Sequence, residues 1–312
     1  MSYQMGIELE IGCLTLNEVA EAVEEAGGIL HNTFGSSMYP EGYMAVYPYH
    51  GARREGMTDI QMDSDQTELP FWRVERDSSI HGGPDGCRYD MTTRNKGVGE
   101  LISPILYGAK GITHIRKVVT ALRRRGAIMT KKMGAHITYG VDNNARFARF
   151  GQRKKIAVKN RMKMVYTHFA DVFDALSPNT RQMISRDGCQ ANSYCALPND
   201  YKMSAIRINS FINYGLVEFR QVGHTLDIHN ITGWLRMTNA LVAACMNDNK
   251  MTKDGQKAMK VNLATQPKTL EGLLNLLNCG SVTEDWAWGR VQRLHDRYTQ
   301  NRANRAAVME VQ

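Results

Sequence analysis

Residues 5–13 read MGIELEIGC and alternate without a break. Successive side chains of a strand point to opposite faces. Ile7, Leu9 and Ile11 therefore fall on one side, Glu8 and Glu10 on the other. The stretch predicts a strand with one buried face and one acidic face. A helix is expected next: Thr15 and Glu18 have the spacing of a capping box, and Gly27-Gly28 stops it. Working outward, residues 71–77 (FWRVERD), 98–103 before Pro104, 134–141 (GAHITYGV) and one or two segments of 205–222, including LVEFRQV, read as strands. Helices are expected at 109–125, where Ile112, Ile115, Val119 and Leu122 share a face, and at 144–176, 227–248, 269–278 and 284–306. Residues 31–70, 82–99 and 178–203 read as irregular, the first as a long functional insertion. The elements do not alternate as βαβ units, which predicts α+β with a largely antiparallel sheet.

Composition bounds the rest. The chain has 312 residues, 43% hydrophobic and 22% charged, enough to bury a core and too apolar for wholesale disorder. Its longest apolar run, Ala240 to Met246, is far too short to cross a bilayer. The first basic residue is Arg53, so no signal peptide is expected, and neither end carries a lipidation box. The six cysteines form no CxxC pair. This argues against a structural zinc site or a disulfide scaffold and favours reduced thiols. Net charge is +8, unevenly spread: residues 1–52 hold seven acidic residues and no Lys or Arg. The remainder sets 39 basic against 24 acidic residues, a net +15. A basic body suits anionic partners such as nucleotide, acidic peptide or nucleic acid, or simply solubilises the surface.

Glu8 and Glu10, two apart on a strand, put their carboxylates about 7 Å apart on one face. Bare, they raise each other's pKa; a hard divalent cation removes the conflict. A lone pair of this kind is more often a solvated strand face. Here Glu100 lies in GVGELISP, His136 in GAHIT, and Glu218 with Arg220 in LVEFRQV, each opposite apolar neighbours. Several carboxylates and one imidazole on one sheet face make an Mg²⁺ or Mn²⁺ site. His136 alone would read as a satisfied core histidine; in this company it reads as a ligand. Arg220 beside Glu218 suits the neutralisation of a transferring phosphoryl group. Arg207 and Asn209 share a strand face and suit either ATP phosphate or a sheet-edge ion pair. His224 lies within reach of a nucleotide site, and Thr225 is expected to cap the helix that follows. Trp72, Trp234 and Phe219 are expected in the core, and Trp286 and Trp288 in the packing of a terminal helix rather than in a docking site.

Taken in order, GIELE, WRVERDSS, ELISP, GAHIT and RIN…VEFR…HTLD resemble the amidoligase family, relatives of the carboxylate–amine ligases of the glutamine synthetase and glutamate–cysteine ligase superfamily. The resemblance runs from about Gly6 to Trp234. It implies a curved antiparallel sheet forming an active-site funnel, helices on its outer face, and ATP with Mg²⁺ on the concave side. It implies a catalytic domain at 1–250 with a helical extension at 251–312 packed on it. The implied chemistry is ATP-dependent amide formation: a carboxylate takes the γ-phosphoryl group and an amine attacks the acyl phosphate. Residue by residue, Glu8, Glu10, Glu100, His136 and Glu218 would hold metal and Arg220 would clamp phosphate. Asp77 and Ser79 would line the substrate site, with Asp77 as the base that takes the amine proton. The second histidine of the family's G-x-H-x-H is Thr138 here, which weakens one ligand position.

Residues 144–163 carry Arg146, Arg149, Arg153, Lys154, Lys155, Lys159, Arg161 and Lys163. They form a solvated helix face or an anion surface, with Arg153, Lys154 and Lys155 at its centre. Three readings follow: a ligase acting on a carboxylate and an amine; a catalytically inactive relative that binds nucleic acid or a protein through the basic helix; and a ligase whose substrate is a peptide, protein or nucleic acid docked there. Partners are the two substrates, no membrane, and a second copy if the chain assembles as its superfamily does. Cytoplasm, with ATP, Mg²⁺ and reduced thiols, is the expected compartment, and a bacterial or phage origin fits the family.

Overall fold

Gln4–Leu14 forms strand β1, as the alternation requires. The computed structural model describes residues 4–32, 71–75, 80, 91, 94–141, 151–178, 181, 205–208, 211–246 and 263–310. The other strands are β2 (Ile29–Asn32), β3 (Phe71–Glu75), β4 (Gly97–Ile102), β5 (Leu106–Tyr107), β6 (Ala135–Gly140), β7 (Ile206–Arg207) and β8 (Leu216–Gly223). They form one open sheet in the order β2-β3-β4-β1-β6-β8-β7, with β5 pairing β1 off this path. Every pairing is antiparallel except β2 with β3. The architecture is thus α+β with a mostly antiparallel sheet. Strand β2 was not expected: four residues, ILHN, are too few to show alternation, and their partner lies far along the chain.

The helices are α1 (Leu16–Glu25), α2 (Gly108–Arg124), α3 (Gln152–His168), α4 (Ala170–Leu176), α5 (Phe211–Tyr214), α6 (Ile228–Met246), α7 (Leu270–Leu277) and α8 (Ser281–Glu310). The capping box of α1 forms as expected: the Glu18 amide donates to Thr15 Oγ1 at 3.2 Å and the Thr15 amide to Glu18 Oε2 at 2.7 Å. Gly27, at φ 84, takes the left-handed turn after the helix. The expected basic segment at 144–176 is a helix pair, α3 and α4, over its described part. The short helix α5 between β7 and β8 was not expected.

The apolar face of the sheet is the core. Ile7, Leu9 and Ile11 of β1, Ile137 and Tyr139 of β6, and Val217 and Phe219 of β8 are fully buried. They share one cluster with Val19 of α1, Ile115 of α2, Met162 of α3 and Trp234 of α6. The Tyr139 hydroxyl donates to the Leu235 carbonyl of α6 at 2.5 Å. Burying each aliphatic side chain stabilises the fold by about 1.5–3 kcal/mol, so β1 cannot turn over. Trp72 and Phe219 are core residues as expected.

Two expectations are corrected. Cys13 is disulfide-bonded rather than a free thiol. It sits at φ 66, where the β1 ladder shifts register between Gly12 and Leu14, and the bulge takes it out of the strand's alternation. Cys245 and Cys279 are thiols outside any disulfide; Cys87, Cys189 and Cys195 lie outside the described residues. Arg161 is no part of a basic surface: it is 1% exposed, and its Nη1 donates to the Cys245 carbonyl at 2.8 Å. Arg153 and Lys154 are exposed and Lys155 is half-exposed; Arg146 and Arg149 lie outside the described residues. Among the described residues no helix is long and apolar enough to cross a membrane.

The last helix is fastened to the core by one close approach. A Cβ on Gly233 of α6 would meet the Trp286 ring of α8 at 2.0 Å. Trp234 packs edge-on to the same ring, centroids 6.0 Å apart. Trp288 is exposed. Gly233→Ala is expected to cost about 1–3 kcal/mol by overpacking this contact, measured by urea unfolding; an unchanged midpoint would show that α8 is not held there.

Candidate active site

The strand register assembles the acidic face. With Ile7, Leu9 and Ile11 in the core, Glu8 and Glu10 project on the other side of the central strand. Glu8 stands opposite His136 of β6. Glu10 stands opposite Glu100 of β4, and Glu100 opposite Glu75 of β3. Across the other half, Thr138 stands opposite Glu218, and Glu218 opposite Arg207 of β7. Arg73 and Arg220 sit two residues from Glu75 and Glu218, so they share this face.

His136 is the hub. Its Nδ1 lies 3.4 Å from Glu8 Oε2 and 3.7 Å from Glu218 Oε1, and its Nε2 lies 3.9 Å from Glu10 Oε1. One ligand atom from each of Glu8, Glu100 and His136 falls within 4.8 Å of the others. His136 is 3% exposed, and its Nε2 is buried with no hydrogen-bond partner. An orphaned ring nitrogen among carboxylates suits a metal ion, which would occupy its lone pair.

The electrostatics point the same way. Burial first, then the charge of Glu218, push Glu8 up to about 8; Arg220, a hydrogen bond with Glu100 and Arg207 pull less strongly the other way. Burial, then Arg220, push His136 down to about 4, so its ring is neutral at pH 7. Burial alone would raise Glu218. His136 first, then Arg220 and Arg207, hold it below the ordinary carboxylate value. Arg220 Nε and Arg207 Nη1 each lie 3.2 Å from a different oxygen of Glu218.

A second cation closes the Glu10 end. Arg181 Nη2 lies 3.8 Å from Glu10 Oε2, and the Gly134 amide donates to that oxygen at 2.5 Å. The guanidinium lies over Gly134: a Cβ there would meet Arg181 Nη2 at 2.3 Å. His224, at the end of β8, is half-buried. Burial lowers its pKa, followed by Arg181, Lys131, Arg297 and Arg290.

A family model described as "Putative amidoligase enzyme" matches residues 1–242. The chain belongs to this amidoligase family. No curated protein and no solved structure matches it.

Of the residues singled out from the sequence of this member of the family, the fold brings Glu8, Glu10, Glu100, His136, Glu218, Arg207 and Arg220 onto one face. His224 lies at its edge. Thr138, where the family has its second histidine, is buried on the same face opposite Glu218. Asp77, Ser79 and Asn209 lie outside the described residues. Three members of the face were not foreseen. Arg73 and Glu75, 3.0 Å apart, carry the same two-residue spacing as Glu8 and Glu10, a signal that was available. Arg181 carried none, because it lies in a stretch without periodicity.

The raised pKa of Glu8 sets a pH dependence. The folded value, about 8, exceeds the ordinary 4.5, so the folded metal-free chain holds a proton that the unfolded chain loses between these values. The contribution of Glu8 to stability therefore falls as pH rises from about 4.5 to about 8. Glu8→Gln removes this penalty. Its advantage over the native chain in urea unfolding without metal is expected to be absent at pH 4 and to grow up to pH 8. A constant difference across that window would contradict the assignment.

Proposed function

We propose that this chain is an ATP- and Mg²⁺- (or Mn²⁺-) dependent ligase that joins a carboxylate to an amine through an acyl phosphate. The observation that carries the reading is the orphaned Nε2 of His136 amid Glu8, Glu10 and Glu218. Family membership supports amide formation. The open antiparallel sheet is compatible with a catalytic domain like that of glutamine synthetase.

In this reading Glu8, Glu10, Glu100, His136 and Glu218 hold divalent metal. A metal bound there supplies positive charge to the phosphoryl oxygens. Arg220 and Arg207, oriented by Glu218, bind phosphate oxygens by charge-assisted hydrogen bonds. His136 stays neutral and keeps a lone pair for coordination. A substrate carboxylate oxygen bonds to the γ-phosphorus as the bond to ADP breaks. The amine nitrogen then bonds to the carbonyl carbon, inorganic phosphate leaves, and the amine's proton passes to a carboxylate, for which we nominate Asp77. Asp77 and Ser79 would orient the substrate, and Asn209 and His224 the nucleotide. The fixed arginines need no reorganisation as charge develops. The compartment that suits this chemistry is the cytoplasm, where ATP and Mg²⁺ are abundant.

The rival is an inactive relative that binds nucleic acid through the basic helix. With Arg161 buried, that helix offers a smaller cationic surface than its sequence suggests. Mg·ATP binding decides between them. At about 100 times its Kd a ligand stabilises the folded state by about 2.7 kcal/mol, read as a rise in melting temperature. The rise is expected only with metal present, and is expected to vanish in Glu10→Gln and Glu218→Gln. A folded native chain that shows no rise would overturn the ligase reading.

A further inference from the structure

Arg181 reaches the acidic face from a turn rather than from a strand. It follows α4, and its amide donates to the Pro178 carbonyl at 2.8 Å. Pro178 lies over Gly223, the last residue of β8: a Cβ there would meet Pro178 Cγ at 2.4 Å. The Arg181 carbonyl accepts from Gln221 Nε2 at 3.1 Å. Gln221, in β8, is fully buried. Its Nε2 also donates to Asp174 Oδ1 at 2.8 Å, and the Tyr166 hydroxyl donates to its Oε1 at 2.5 Å. A buried amide engaged on both its nitrogen and its oxygen holds one orientation. The backbone of Arg181 is thus tied, at its amide and at its carbonyl, to the end of β8.

From there the side chain crosses β6 to reach β1. The Glu10 amide donates to the Gly134 carbonyl at 3.0 Å. This carries the β1–β6 register one step beyond Leu9 and Ala135 and sets Gly134 opposite Glu10. Residues opposite each other share a face, so a side chain at 134 would stand on the acidic face beside His136. The guanidinium fills that place: a Cβ on Gly134 would meet Nη2 at 2.3 Å and Cζ at 2.8 Å. Glycine at 134 is what lets the arginine through. Its Nη2 ends 3.8 Å from Glu10 Oε2, and both residues are 5% exposed. The other oxygen, Glu10 Oε1, lies 3.9 Å from the orphaned Nε2 of His136.

We propose that Arg181 is a resident counter-cation of the metal site. It neutralises Glu10 before metal arrives and competes with metal for that carboxylate. The contact with Glu10 is longer than a hydrogen bond, so charge rather than a directed bond joins the two. A divalent ion carries twice the charge and approaches carboxylate oxygens to about 2.1 Å, so it prevails over a guanidinium held at this distance. Arg181 acts through Glu10 and is a positioning residue rather than a ligand. Its removal leaves a buried carboxylate uncompensated, which destabilises the metal-free chain and makes metal binding more favourable. An arginine that merely packed there would, once cut back, leave metal binding unchanged or weaker. The proposal rests on the ligase reading for one point, that divalent metal binds this face.

The test uses the full chain and Mn²⁺ alone, without nucleotide. Binding is read from the loss of the free ion's paramagnetic resonance signal, and stability from the melting temperature. Arg181→Gln is expected to bind Mn²⁺ at least about tenfold more tightly than the native chain. It should also melt lower without metal and gain more from saturating Mn²⁺. Arg181→Lys, which keeps the charge, should fall closer to the native affinity than to that of Arg181→Gln. Gly134→Ala displaces the guanidinium while keeping it in the chain, and should tighten Mn²⁺ binding in the same direction. It carries the test where circular dichroism shows that Arg181→Gln does not fold. Arg116→Gln, at an exposed arginine of α2, controls for net charge and should leave the affinity unchanged. A native chain that binds Mn²⁺, beside Arg181→Gln and Gly134→Ala that bind it equally or less tightly, overturns the proposal and leaves the ligase reading standing. An equal gain in Arg116→Gln overturns it too. Native and variant chains that all ignore Mn²⁺ would remove metal from this face, and the ligase reading together with the proposal.

Discussion

The structure depends on the two-sidedness of β1. Its three aliphatic residues are fully buried between flanking strands and helices, and a strand offers its side chains no third direction. Glu8 and Glu10 are thereby forced to the same side as His136, Glu100 and Glu218. Like charges so close would separate if the backbone allowed it. They stay because slipping by one residue would bring the carboxylates into the core. The energy of hydrophobic burial is thus stored as electrostatic crowding on the opposite face. The arginines at 73, 181, 207 and 220 relieve part of it, and the orphaned nitrogen of His136 marks where relief is incomplete.

That division explains what could be read from the sequence. Glu8, Glu10, His136 and Glu218 were legible because each sits in a strand whose apolar neighbours announce the period. The capping box of α1 was legible because its two residues are three apart in the sequence. Strand β2 was illegible because four residues carry no period, and its parallel pairing depends on a partner distant in sequence. The burial of Arg161 was illegible for a different reason. Charge in a helical pattern predicts a wet face, and only the position of the Cys245 carbonyl, which accepts from Nη1, shows that this guanidinium is held inside. Cys13, which is disulfide-bonded, sits at a bulge, and one register shift in a ladder leaves no mark in composition.

The C-terminal helix adds a different kind of information. Its contact with the core is apolar at Trp286 and becomes cationic within one turn, at Arg290. Packing and charge are consecutive uses of one helix face. The same rotation that seats the Trp286 ring on Gly233 also brings Arg290 to the Leu176 carbonyl.

The position of β1 in the sheet also bears on how the chain comes to exist at all. It is the first strand in the chain, yet it lies in the middle of the sheet, and its hydrogen-bonded partner His136 is 128 residues away. During synthesis its two edges must wait for β4 and then for β6, and long-range pairing of this kind is slow. Until then an aliphatic row and a bare pair of carboxylates travel together on an unpaired strand. The acidic residues make that waiting strand a poor partner for other nascent chains. Charges that crowd the finished acidic face serve, while the chain is being made, as its protection against aggregation.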